Sequence, residues 1–401
     1  MKVLVLNCGS SSLKYQLYDM NSEDILAYGR IEKIGHNDAM LTHHEPGREV
    51  LKRTVEILDH KSAISLMVEI LSDPSCQAIE NLDEIEAVGH RVVHGGEKFS
   101  ESVLVTPEVE QAIRDCIDLA PLHNPASLLG IFATKEILPS TPQVVVFDTA
   151  FHQTLERQVY LYGIPMELYN KHKVRKYGFH GTSHKYVSER AADLLDRPLE
   201  TLKIISCHIG NGSSITAIRD GVSVDTSMGM TPLEGLIMGT RSGDIDPAAV
   251  LYIMNKEEIT TEEMNAILNY KSGLLGISGI SGDMREIVEN AQNHHPLAKL
   301  AFDMYEYRIR KYIGSYAAAM NGIDVLLFTA GVGENSAELR EKICENISYL
   351  GVELDCDANR IRSGEERMIS TARSRVKVLV IPTNEELVIA RDTQTVVKSI
   401  Y

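Results

Sequence analysis

The chain has 401 residues, which at roughly 150 residues per domain predicts two or three domains, two of them with long insertions, and leaves room for a large buried core. Its 40 Lys and Arg against 56 Asp and Glu give a formal net charge of -16, which argues against nucleic acid as the main partner and means that an anionic small substrate needs a local cationic pocket. Hydrophobic content of 44% and charged content of 24% exclude disorder and fibrous repeats, and no run approaches the about 18 apolar residues of a membrane span.

Met1 to Leu6 is too short for a signal-peptide core, so a cytoplasmic protein is expected. Lys2 to Leu6 and Leu13 to Tyr18 read as two strands around a polar turn. Helical patterns follow at Lys61 to Leu71, Glu108 to Leu119 and Asn124 to Leu138, the last with Asn124 as cap and Pro125 at the first helical position. Gln143 to Phe147 is a buried strand ending at Asp148. Leu202 to Ile209 and Ser213 to Ile218 repeat the strand, glycine turn, strand plan, and Asp324 to Phe328 runs into the glycine-rich Thr329 to Asn335. Strands mixed with helices imply an α/β protein. The halves share a plan: Gly9, Ser10, Ser11 match Gly212, Ser213, Ser214 at an offset of 203, and Phe147 to Ala150 match Phe328 to Gly331. The six cysteines form no CxxC pair, so buried free thiols are expected rather than disulfides or a structural zinc.

Chemistry concentrates at the turns. NCGSSSLK (Asn7 to Lys14) can aim backbone N-H groups, hydroxyls and an ammonium at phosphate oxygens, although no Walker A loop occurs in the chain. HIGNGSS (His208 to Ser214) again allows the backbone to approach an anion. SGISGDMR (Ser278 to Arg285) is a third such stretch. GVGENS (Gly331 to Ser336) lacks the final glycine of a dinucleotide fingerprint. Arg91 in GHRVVHGG, Arg241 in GTRSGDIDP and His180 in GFHGTSH are cationic groups flanked by glycines, suited to reach a carboxylate or a phosphoryl group from a loop. The pairs His90/His94 and His180/His184 do not complete HExxH and read as hydrogen-bonded histidines. Asp148 at a strand end, and Glu385 and Glu386 after the strand Val376 to Ile381, can hold hydrated Mg²⁺ beside a nucleotide, while dipole-favoured acids in a helix first turn are the simpler account of the last two.

Together, VLVLNCGSSSLKY, GHRVVHGG, VVVFDTAFH, YGFHGTSH, HIGNGSS, DTSMGMTPLEGLIMGTRSGDIDP, FTAGVGENS and PTNEELVIARDT resemble the acetate kinases, in the same order and from residue 3 to about residue 392. The resemblance implies two similar α/β domains of the sugar kinase, Hsp70 and actin type, with a nucleotide cleft between them: residues 1–150 plus about 386–401, and residues 151–385 with the nucleotide loops. It implies reversible, Mg²⁺-dependent transfer of the ATP γ-phosphoryl group to acetate, giving acetyl phosphate and ADP, with Mn²⁺ as a substitute and a homodimer as the usual assembly. In its pattern Asn7 and Glu385 hold the metal and Lys14 lies at the nucleotide. His208, Ile209, Gly210, Asn211 and Gly212, then Asp283, Met284 and Arg285, and Gly331, Val332, Gly333, Glu334 and Asn335 surround ATP. Arg91 binds the substrate carboxylate, His180 and Arg241 stabilise the transition state, and Val93, Leu122, Phe179 and Pro232 line the pocket for the methyl group. Asp148 is the family's acid/base residue.

Acetate is ionised at neutral pH and offers no proton to abstract, so a strict base is unnecessary. Asp148 is therefore expected to position metal-bound water, His180 or Arg241. The nearest rival is a propionate or butyrate kinase with a wider pocket. An ATP-gated binding protein of the Hsp70 or actin kind would need a spare substrate-binding segment, and none is evident after Glu386.

Overall fold

A computed structural model describes residues 1–73, 76, 78–121 and 123–400. The chain divides into two compact units, Met1–Gln153 with Asn384–Tyr401, and Thr154–Thr383. Among the described residues no helix is long and apolar enough to cross a membrane.

The first unit is built on an eight-stranded mixed sheet. Its strands are β1 (Lys2–Gly9), β2 (Ser12–Asp19), β3 (Asp24–Glu32), β4 (His36–His44), β5 (Leu51–Ile57), β6 (Ala87–Val92), β7 (Val103–Leu104) and β8 (Gln143–Phe147), in the order β5-β4-β3-β2-β1-β6-β8-β7. β1 to β5 form an antiparallel meander, whereas β1, β6 and β8 run parallel. Val3 to Leu6 are all buried because β1 is covered on both faces, which explains the unbroken apolar run. Leu4, Leu6 and Cys8 join the core on the side of helices His60–Leu71 and Asn124–Ile137. The helix Glu385–Lys398 packs on β1, β6 and β8. Two glycines permit these close approaches: a Cβ on Gly89 would lie 2.7 Å from Ile389 Cγ2, and one on Gly130 would lie 2.4 Å from Cys8 Sγ.

The cap expected at Asn124 is not one. Asn124 is already the first helical residue, His123 occupies the cap position, and no side chain caps this end. The buried Asn124 amide instead accepts from His94 N (3.2 Å) and donates to His94 O (2.9 Å) and Ile113 O (3.1 Å). Satisfying those buried backbone groups outweighs capping an end whose N-H groups have other outlets. The helix expected over Glu108 to Leu119 is shorter, Pro107–Asp115, with Thr106 capping Val109 N.

The second unit has a six-stranded sheet of β9 (Lys203–Ile209), β10 (Ser213–Arg219), β11 (Val222–Thr226), β12 (Val325–Thr329), β13 (Arg367–Met368) and β14 (Lys377–Val380), ordered β11-β10-β9-β12-β14-β13. Three antiparallel strands followed by a parallel trio member by member, with a short antiparallel edge, repeat β3-β2-β1-β6-β8-β7 of the first unit. The shared plan is therefore a shared topology, but its expected residue matches shift. Cys8 paired with Leu13 corresponds to Ile209 paired with Ser213, since these are the last pairs facing the crossover helix in each unit. Asn7 and Lys14 then correspond to His208 and Ser214, not at the offset of 203. β12 is the counterpart of β6, not of β8, because each is the strand parallel to its unit's first strand. The glycine-rich stretch Gly331 to Asn335 is helical within Ala330–Asn335.

Candidate functional site

In the first unit the functional side chains gather at one end of the parallel strands. Asn7 and Lys14 are directly opposite each other on β1 and β2, so both point to the same face. They share a cavity of about 370 Å³ with Glu386, Arg30 and His44. Arg91 on β6 reaches Asp148, the residue after β8, through a forked contact: Nε to Oδ1 3.0 Å, Nε to Oδ2 3.1 Å and Nη2 to Oδ2 2.5 Å. Asp148 is 1% exposed and its charge raises the Arg91 pKa, keeping the guanidinium firmly protonated. The first turn of helix Glu385–Lys398, capped by Asn384, brings Glu385 and Glu386 into range of the same arginine. Burial pushes the Glu385 carboxyl up to about 7, with Asp148 and Glu386 adding to the rise and Arg91 and Lys14 opposing it.

This donor set suits a hard divalent cation. Three carboxylates crowd one region, and burial together with two like charges raises the pKa of Glu385, a cost that a cation relieves. Asp148, Glu385 and Glu386 do not converge into a three-ligand cage. An ion held here would keep water and phosphate oxygens as ligands, the usual state of Mg²⁺.

In the second unit His180 sits at the start of helix Gly181–Leu195 with φ of 57°, a left-handed conformation that is strained for a residue with a Cβ. A chain of hydroxyls and imidazoles holds it. Ser214 Oγ lies 3.0 Å from His180 Nδ1 and 2.7 Å from His184 Nε2, while His184 Nδ1 is 2.9 Å from Ser206 Oγ. The His180 ring stacks on His208 with centroids 4.1 Å apart. His208 Nδ1 is 2.8 Å from Ser183 Oγ, which accepts from Thr383 Oγ1 at 2.8 Å. These are the hydrogen-bonded histidines expected of the His180/His184 pair. His90 likewise meets Gln143 at 2.8 Å.

Arg241 and His180 converge on one backbone. A methyl placed on Gly212 would lie 3.4 Å from Arg241 Nη1 and 3.8 Å from His180 Nε2. Arg241 donates to Pro232 O at 3.3 Å, and among the described residues no carboxylate pairs with it, although burial lowers its pKa. A half-buried guanidinium without a counter-ion, beside an imidazole and an open glycine, is a place for an anion.

The same unit contains a cavity of about 960 Å³. Of the residues expected at the nucleotide, Gly210, Asn211, Asp283, Met284, Arg285, Gly331, Val332 and Asn335 line it. Asp283 caps helix Met284–Gln292 and pairs with the exposed Arg285. Ile209 and Gly333 do not line the cavity: Ile209 is core, and Gly333 is buried in helix Ala330–Asn335, which packs on β9. Glu334 is turned away as well, with Oε1 accepting from Thr383 N at 3.4 Å. Thr329 Oγ1 and Thr182 Oγ1 are buried with no partner among the described residues, Thr329 just before helix Ala330–Asn335 and Thr182 in the first turn of helix Gly181–Leu195. The motifs gave no signal for Arg362, Glu289 and Gln292, which also line the cavity. Val93 and Phe179 are buried, and Pro232 is half-buried. Leu122 lies outside the described residues.

Residues 2–391 match the Acetokinase family. An acetate kinase of Thermoanaerobacterium thermosaccharolyticum is 57% identical over 401 residues, covering 100% of both chains. The crystal structure of Porphyromonas gingivalis acetate kinase superposes with a TM-score of 0.95 at 49% identity, covering 99% of each chain. A propionate kinase from Francisella tularensis gives 0.91 at 44% identity, covering 98% of this chain and 99% of that one. The fold is thus the two-domain type shared with actin, Hsp70 and the sugar kinases, the substrates are acetate, acetyl phosphate and ATP or ADP, and the chain belongs to the acetokinase family, kinases that transfer phosphate to a carboxylate.

Proposed function

We propose that the chain catalyses in-line transfer of the ATP γ-phosphoryl group to an acetate oxygen with Mg²⁺ as its divalent ion and Mn²⁺ as a substitute. The acetate oxygen forms the new bond to phosphorus as the bond to the bridging oxygen of ADP breaks, and acetyl phosphate and ADP leave. Bound metal supplies charge neutralisation on the phosphate oxygens. Asn7 and Glu385 would hold it, with Glu386 as a second carboxylate on the Asn7 side.

The transition state spreads charge over the equatorial oxygens, so cations should dominate. His180 and Arg241 are assigned to it, and the carrying observation is their convergence on Gly212, where Arg241 has no carboxylate partner among the described residues. Arg91 takes the acetate carboxylate and Lys14 a nucleotide phosphate. The forked Arg91–Asp148 contact favours a role for Asp148 that differs in detail from the one expected: it orients Arg91, rather than His180 or Arg241, and abstracts no proton. His208, Ile209, Gly210, Asn211 and Gly212, with Asp283 to Arg285 and Gly331 to Asn335, form the nucleotide site, in which Ile209 and Gly333 act through packing. Val93, Leu122, Phe179 and Pro232 select the acetate methyl group. One extra methylene is worth only about 1 to 3 kcal/mol, so propionate is a poorer substrate without being refused. A cytoplasmic homodimer, with residues 1–150 plus about 386–401 as one domain and 151–385 as the other, completes the reading.

A hydroxylamine trap tests it. Purified protein with ATP, Mg²⁺ and acetate should form acetyl hydroxamate, less with propionate and least with butyrate. ATP turnover without an acid and without hydroxamate would overturn it.

A further inference from the structure

Within the first unit, on the opposite face of the meander from Asn7 and Lys14, lies a cluster that phosphoryl transfer does not use. His43 is next to last in β4, Glu45 follows that strand, and Cys76 follows helix His60–Leu71. Each offers one ligand atom, and the three atoms lie within 4.8 Å of one another. Among the described residues no other group of three or more His, Cys, Asp or Glu meets that condition.

The cluster is built rather than incidental. His43, Gly29 and Tyr15 are cross-strand partners in one row. Tyr15 OH passes over Gly29, where a Cβ would stand 2.4 Å from that oxygen, and reaches His43 Nδ1 at 2.8 Å. This fixes the ring and leaves Nε2 turned to Glu45 Oε1, 3.2 Å away. Arg48 holds the other oxygen of Glu45 at 3.2 Å. His43 is 2% exposed, and a zinc ion on Nε2 needs the tautomer with its proton on Nδ1, which then donates to Tyr15 Oη. A metal-binding histidine with its second nitrogen fixed by a hydrogen bond, and a carboxylate itself held by a neighbour, is the usual outer support of a bound ion.

We propose that His43 Nε2, the Glu45 carboxylate and the Cys76 thiolate bind one zinc ion, separate from the phosphoryl-transfer residues. One nitrogen, one oxygen and one sulfur donor suit zinc better than Mg²⁺ or Ca²⁺. Tetrahedral zinc with ordinary bond lengths sets its donors about 3.3 to 3.6 Å apart. The His43–Glu45 separation already approaches that spacing, and the remaining position takes water. The Cys76 thiol proton is released to solvent on binding. The ion would tie the end of β4 to the segment after helix His60–Leu71 and so stabilise the folded chain.

The full-length protein, freed of metal by a chelator, tests the site by zinc titration against a chromophoric competitor and by cobalt substitution. Expected are one zinc per chain, a thiolate-to-cobalt charge-transfer band, and a zinc-dependent rise in Tm. Cys76→Ser should remove the band and weaken zinc binding by roughly tenfold to a hundredfold or more, whereas Cys356→Ser, at an exposed cysteine, should change neither. Glu45→Gln, which leaves the thiol and the Tyr15–His43 contact in place, should weaken zinc binding while keeping the band. Absence of a thiolate–cobalt band, or equal zinc affinity in wild type and Cys76→Ser, would overturn the proposal and leave the cluster as a hydrogen-bond network.

Discussion

The same sheet topology occurs twice in this chain, and the two copies furnish the same end with opposite chemistry. By face and register, Asn7, Lys14, Arg91 and Asp148 of the first unit correspond to His208, Ser214, Thr329 and Thr383 of the second. The first unit thus places an ion pair and an ammonium where the second has two threonines, a serine and an imidazole. In the second unit that neutral network fixes the strained His180, and the guanidinium that meets it, Arg241, comes from a loop. A duplicated scaffold sets where chemistry can sit, while the residues at the strand ends decide which chemistry it is.

The comparison breaks most severely at Gly212. Gly212→Ala puts a methyl at ordinary contact distance from Arg241 and His180, so the fold should tolerate it while the space for an anion is filled. kcat/KM should fall about 10²- to 10³-fold with an unchanged Tm. A nearly active Gly212→Ala enzyme would remove the convergence from the account. Asn124→Leu tests the build of the first unit, since it removes the two amide bonds to the buried His94 backbone at about 1 to 3 kcal/mol each, while Ile113 O keeps Cys116 N at 3.2 Å. Urea unfolding should show a loss of about 3 kcal/mol, and a loss near zero would mean that another group takes over the His94 segment.

Asp148→Asn keeps the shape but loses the charge on Arg91. An activity loss of roughly 10- to 100-fold, carried by acetate KM and without a change in solvent isotope effect, fits orientation of Arg91. A vanished isotope effect at unchanged acetate KM would instead mark a base. Another effect is in acid. Burial lowers His90, whose counterpart in the second unit is Phe328, from 6.5 to about 4. Between those pH values the unfolded chain takes up a proton that the folded chain refuses, so stability falls as pH drops through that window. His90→Gln should flatten this slope by up to about 1.4 kcal/mol per pH unit. An unaltered acid limb would mean that His90 is protonated in the fold.

Much of this was legible because strand ends and glycine turns are written locally. Asn7 to Lys14, His208 to Ser214 and the acidic start at Glu385 all lie where turn chemistry and apolar runs put them. Other features depend on partners far along the chain. Asn124 before Pro125 reads as a cap until the distant His94 backbone claims its amide. Gly331 to Asn335 reads only as glycine-rich, and packing of helix Ala330–Asn335 on β9 overrides the low helix propensity of its two glycines. β3 to β5 escaped notice, since their outer face carries residues such as Arg30, Thr42 and His44 and the alternation is weak. The string match between the halves failed by a few positions because turns of different length shift any count made along the chain. The cluster of His43, Glu45 and Cys76 has no motif at all, being assembled by strand register and a chain return.

The division of labour between the two arginines is the claim to test first. Arg91→Ala and Arg241→Ala should be assayed side by side for acetate KM and kcat at saturating Mg²⁺ and ATP. Arg91→Ala should act mainly on acetate KM, and Arg241→Ala should lower kcat by about 10²-fold or more with little change in KM. The reverse pattern, or a KM effect alone at Arg241, would contradict the account, because the unpaired guanidinium beside His180 would then bind the ground state and not the transition state.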